Sequence, residues 1–112
     1  MTKEGWFRYT ICEQMSNIGA EVRNYIKARD SFREKKSGQD HSGFYFQKAM
    51  EYIGIIEEDP KNIHRIKELE DCKQELIALR AGVFSDAYIL KYWDQYTEAC
   101  AFREQRGDVR QK

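Results

Sequence analysis

His64, Glu68 and Cys72 stand four residues apart, a spacing that sets an imidazole, a carboxylate and a thiol on one face of a helix. These are the donor types of a zinc or di-metal site, with one or two further ligands to come from elsewhere. A di-metal carboxylate site in a helical bundle needs Glu-x-x-His pairs. Position 61, three before His64, is Lys61, and position 38, three before His41, is Gly38. The trio therefore reads as a surface histidine in an ordinary helix charge pattern, and no metal or cofactor is expected. Cys12, Cys72 and Cys100 each fall on or beside an apolar stripe, with no C-x-x-C and no histidine local in sequence. They read as buried free thiols in a reducing cytosol, and no catalytic residue is expected among them.

Lys27, Arg29, Arg33, Lys35 and Lys36 form a basic cluster. It has the charge and reach to contact phosphate. Asp30 and Glu34 dilute it, and Phe32 is the one aromatic ring interleaved. The chain resembles HEPN ribonucleases in size and all-α class, which would imply RNA cleavage. Their signature is an Arg four to six residues before a His; here Arg33 lies eight before His41, and His64 has no Arg in that window. The resemblance is one of architecture, and it leaves a nucleic-acid-associated helical protein as the alternative function.

The elements that would position these groups follow from periodicity. Ile11, Met15, Ile18, Val22 and Tyr25 recur at alternating spacings of four and three, with Cys12, Gly19 and Ile26 in a line beside them. This pattern predicts one long helix from Trp6 to about Lys36, with an apolar face wide enough for two neighbours. Gly19 marks a close helix crossing, and Gly38 is the expected C-cap. After a polar loop from Ser37 to Gly43, a second helix carries Phe46, Ala49, Ile53 and Ile56, capped by Asp40 or Ser42. Pro60 stops it near Glu58, and Asp59 caps a third helix from Pro60 to about Arg80. Ile66, Leu69, Cys72, Leu76 and Leu79 form its inner face, and Gly82 ends it. Ser85 caps a fourth helix with Ile89, Trp93, Tyr96 and Cys100 as its stripe. The tail from about residue 104 is expected to fray. Four such helices with short connections predict an all-α, antiparallel up-down four-helix bundle with a long first helix.

A chain of 112 residues is one domain by length, residues 1–112. Nineteen basic and nineteen acidic residues cancel, so no global field points to nucleic acid or to a membrane. The N-terminus Met-Thr-Lys-Glu opens no apolar leader, and a cytoplasmic protein is expected. The stretch from Phe46 to Asn62 looks like the second half of a tetratricopeptide repeat, but position 48 is Lys48 where a small residue belongs, and no repeat period surrounds it. Trp6, Tyr9, Gln14, the run Asn17-Ile18-Gly19-Ala20-Glu21-Val22 followed by Arg23, Asp59-Pro60 and Lys67-Glu68-Leu69 are similar to a family of small all-α bacterial and archaeal proteins. That resemblance implies a free-standing cytoplasmic protein and no mechanism. What is left over is apolar and outward: Phe44 and Ile55 on helix two, Tyr88 and Phe102 on helix four. Aromatic residues are enriched at interface cores. The reading is a non-catalytic protein–protein interaction module, expected to pair as a homodimer through helix four.

Overall fold

The computed structural model describes residues 2–105, the side chains of 101–105 excepted. Its regular structure is helical throughout: α1 Lys3–Phe7, α2 Ile11–Arg33, α3 Ser42–Glu57, a 3-10 stretch Pro60–Arg65, α4 Ile66–Arg80 and α5 Asp86–Gln105. No strand occurs among the described residues.

The expected long first helix is two helices. Thr10 leaves the helical region at ψ 161°, accepts from the Glu13 N–H, and receives the Glu13 side chain on its own N–H. This capping box satisfies two backbone donors and starts α2 afresh. Thr10-x-x-Glu13 is legible in the sequence, but the apolar pattern runs through it and hides the break. Downstream, α2 ends before Gly38. Glu34 is its C-cap, and Lys35 takes the left-handed conformation at φ 59°. The Lys36 N–H reaches Ser31 O and the Lys35 N–H reaches Phe32 O, a Schellman closure with lysine where glycine is usual. Gly82 (φ 80°) closes α4 in the same way, as expected.

Asp59 caps as expected, accepting from the Lys61 N–H, but what it caps is the 3-10 stretch, and α4 proper begins at Ile66. At the start of α3 the cap position falls on His41, which makes no side-chain cap bond. Asp40 Oδ1 instead accepts from the Ser42 N–H and hydroxyl. Ser85 Oγ accepts from the Tyr88 N–H in the first turn of α5.

All the expected core residues, Ile18, Val22, Ile53, Leu69, Leu76 and Trp93, are buried, in one cluster with Trp6, Met15, Tyr25, Ala49, Ile56, Leu79 and Ile89. Helix α2 is the central element, packing on α3 along one side and on α5 along the other, while α4 packs on α3. A Cβ added at Gly19 would stand 3.3 Å from Trp93 Cβ, so the expected close crossing is that of α2 with α5. α1 lies across α3, its Trp6 ring 4.5 Å from that of Tyr52.

Candidate functional site

Two ends of the molecule carry distinct chemistry. At one end meet the C-terminal half of α2, the start of α3, the end of α4 and the start of α5. Contacts fix this: Tyr25 rests against Phe46 at 5.8 Å, the Arg80 guanidinium sits 4.6 Å above the Phe46 ring, and Arg29 pairs with Asp86. Four exposed large apolar side chains, Phe32, Phe44, Ile77 and Tyr88, belong to these segments, and a fifth, Val83, to the loop that joins α4 to α5. Phe44 is 62% exposed and Tyr88 52%. The Tyr88 ring leans on half-buried Phe84 at 5.0 Å, and Lys48 Nζ stands 5.3 Å from the centre of Phe44.

The other expected interface residues fare differently. Ile55 is half-buried and packs against the core, because the turn at Asp59 folds the 3-10 stretch and α4 back along α3. Phe102 has its side chain outside the described residues, as has the expected fraying beyond Gln105.

The basic cluster is at this same end but is not uniform. Arg29 is mostly covered, bonded to Asp30 and Asp86, and both carboxylates push its pKa up against the opposing effect of burial. It ties α2 to α5. Lys36 pairs with Glu34 at 2.8 Å. Lys27, Arg33 and Lys35 are exposed and make no ion pair among the described residues.

At the opposite end a polar network is buried where α1, α2 and the 3-10 stretch meet. The Gln14 amide donates to Trp6 O and to Asp59 Oδ2, both at 2.9 Å. Asn62 Nδ2 donates to Gln14 Oε1 and to Ile56 O, while Lys61 Nζ bonds Asp59 and Phe7 O. Asn62 Oδ1 has no partner. These groups hold chain segments together. Gln14 announced itself in the sequence, as a polar residue three after Ile11 and four before Ile18 on an otherwise apolar stripe.

The face expected to join His64, Glu68 and Cys72 is differently composed. His64 is in the 3-10 stretch and exposed. Glu68 and Cys72 share a face of α4 and are connected through α5: the Tyr96 hydroxyl donates to Glu68 Oε1 at 2.6 Å, Tyr92 Oη stands 3.4 Å from Tyr96 Oη, and Cys72 Sγ lies 3.1 Å from Tyr92 Oη. Burial pushes the Cys72 thiol up to about 11 and the Tyr96 hydroxyl up to about 12, and raises Tyr92 as well. All three hold their protons at neutral pH, so this thiol is a core side chain with a hydrogen-bonded neighbour. Among the described residues no three His, Cys, Asp or Glu side chains are placed to hold a metal ion.

The other two cysteines overturn the expectation of free thiols. Cys12 in the first turn of α2 and Cys100 on α5 form a disulfide across 88 residues, with Cα atoms 5.8 Å apart. Sequence separation concealed the pair, and only the antiparallel packing of α5 on α2 joins them. The apolar crevice lined by Val22, Tyr25, Phe46, Ala49, Leu76 and Leu79 is too narrow to admit a water molecule. No described helix is long and apolar enough to cross a membrane. No protein-family model, curated protein or solved structure matches the chain.

Proposed function

We propose that the chain is a non-catalytic, cytoplasmic protein–protein interaction module that pairs with a second copy of itself through the end bearing Phe44 and Tyr88. Its scaffold in this reading is an antiparallel up-down four-helix bundle of α2 to α5. In support, α2 packs on α3 and α5, and α4 on α3 and, more lightly, on α5. The observation that carries the function is the gathering of Phe32, Phe44, Ile77, Val83 and Tyr88 on segments that meet at one end. Among the described residues the one other exposed large apolar side chain, Ile63, belongs to the opposite end. Scattered apolar exposure is ordinary, and five such side chains on segments of one end support the reading of a contact surface there. A two-fold contact would cover the patch on both copies at once. Cys72, buried and protonated, fits a core thiol that takes no part in nucleophilic chemistry.

Light scattering or sedimentation at micromolar concentration tests the reading. A mass of two chains is expected, reverting to one chain in Tyr88→Asp and in Phe44→Asp with helical circular dichroism unchanged. A monomer mass for the unaltered protein defeats it. The nucleic-acid alternative has less behind it, because Arg29 and Lys36 are engaged within the chain. Binding to generic RNA that persists at moderate salt would favour that alternative over pairing.

A further inference from the structure

We propose that Cys12 and Cys100 form a reversible redox site, a disulfide that exchanges with small organic disulfides and thiols and that governs whether the turn of α5 from Tyr96 to Cys100 stays docked on α2. The proposal is independent of the pairing surface, which lies at the other end of the molecule.

The docking of α5 is uneven along its length. Towards its start it is held by the Arg29–Asp86 pair, by buried Ile89, by Trp93 packed on Gly19, and by the Arg23–Asp94 pair. Beyond Trp93 the hold weakens. Tyr96 is half-buried, and Thr97, Glu98 and Ala99 are exposed. Cys100 is the next side chain that turns inward, half-buried beside Ser16 Oγ at 3.6 Å. With no apolar residue between Tyr96 and Cys100 on the docked face, the link to Cys12 is what fastens this part of the helix. A segment with so few buried contacts opens locally at low free-energy cost once the link is broken.

The two sulfurs also differ in access, which sets the order of exchange. Cys12 is 4% exposed and covered by α5, with its sulfur 2.9 Å from Tyr96 O, while Cys100 reaches the surface. On oxidation the Cys100 thiolate attacks one sulfur of a small disulfide such as oxidised glutathione. A mixed disulfide forms, and one small thiol leaves. The Cys12 thiolate then attacks Cys100 Sγ, the protein disulfide forms, and the second small thiol leaves. Two protein thiols are oxidised, one small disulfide is reduced to two thiols, and the reverse sequence reduces the protein. After reduction the Cys12 thiol can donate to Tyr96 O, so the sulfur is satisfied in both states. Cys72 takes no part, being buried and held against Tyr92. In a reducing compartment a disulfide of this kind is transient and responsive, where a secreted protein would keep it permanently.

The full chain is equilibrated in glutathione buffers of graded redox ratio, denatured, and its free thiols trapped with an alkylating agent and counted by mass. One free thiol is expected at the oxidising end and three at the reducing end, always at the mass of one chain. In parallel, hydrogen exchange is followed on the unaltered protein in both end states. Backbone amides of α5 after Tyr96 should exchange faster by about tenfold or more in the reduced form, with α3 and α4 unchanged. Cys100→Ser should show the fast exchange in either buffer. Three free thiols at the oxidising end, a disulfide between two chains, or equal exchange in the two states would each overturn the proposal.

Discussion

Gly19 and Trp93 show how much one missing side chain can decide. Alanine at position 19 would raise helix propensity by about 1 kcal/mol. Its Cβ, however, would meet Trp93 Cβ at 3.3 Å, and that atom is fixed to the α5 backbone and cannot rotate aside. The whole of α5 would have to shift. Gly19→Ala is therefore expected to destabilise by about 1 kcal/mol or more despite its better propensity, read as a lower urea midpoint. A higher midpoint would mean that α2 and α5 slide apart freely. Lys35 presents the opposite case. It occupies the left-handed region at φ 59°, which costs a side-chain-bearing residue about 1–2 kcal/mol, and its side chain is exposed. Lys35→Gly removes that cost and returns part of it as unfolded-chain entropy. A net gain of about 0.5–1 kcal/mol in thermal or urea unfolding is expected. The corresponding position at the end of α4 already holds Gly82 (φ 80°).

Among the α-helices, the short α1 buries the fewest apolar side chains, Trp6 alone. It rests on α3 through Trp6 and is tied in by the Gln14 amide on Trp6 O and by Lys61 on Phe7 O. Gln14 thus joins α1, the start of α2 and the α3–α4 junction through Asp59 and Asn62. Gln14→Ala would leave the Trp6 carbonyl and the Asn62 amide short of a buried partner, and would open a small space beside them. A loss of about 1–3 kcal/mol in denaturant unfolding is expected, with early exchange of the α1 amides. A loss under about 0.5 kcal/mol would show that water replaces the amide without cost. The residues that make this latch were visible in the sequence, as a polar residue on an apolar stripe and an Asp-Pro turn. Their meeting was not, because it depends on how α3 and α4 fold back beside α2.

At the scale of the whole molecule, alkaline pH acts on a group that the fold protects. Burial raises the Cys72 thiol from 9.0 to about 11. Between those values the unfolded chain releases the proton and the folded chain keeps it. The unfolded state therefore binds fewer protons there, and stability falls as pH rises through the window. The urea midpoint is expected to drop progressively from about pH 9 to about pH 11, and Cys72→Ala should flatten part of that slope without moving its direction. A midpoint constant across this window would place the thiol in contact with solvent. Tyr96, raised from 10.0 to about 12, acts in the same sense at the upper edge.

The sequence by itself determined which residues face inward and where most helices stop. A helix commits each residue to a direction every 100° or so, and Ile18, Val22, Ile53, Leu69, Leu76 and Trp93 are buried as their spacing requires. Gly82, Pro60 and Ser85 act locally, through backbone angle, steric exclusion and capping, so their effect is legible without neighbours. The break at Thr10 was written in the same local language but was masked by an apolar pattern continuous through it. Only the tertiary structure decided which groups from different helices meet. The Cys12–Cys100 bond, the Cys72–Tyr92–Tyr96–Glu68 chain and the end where Phe44 and Tyr88 stand exposed all depend on helix packing. Periodicity gives a side chain its direction about its own helix axis. What lies opposite is settled by the register between helices, which the closest contacts, such as Gly19 against Trp93, set across the whole core.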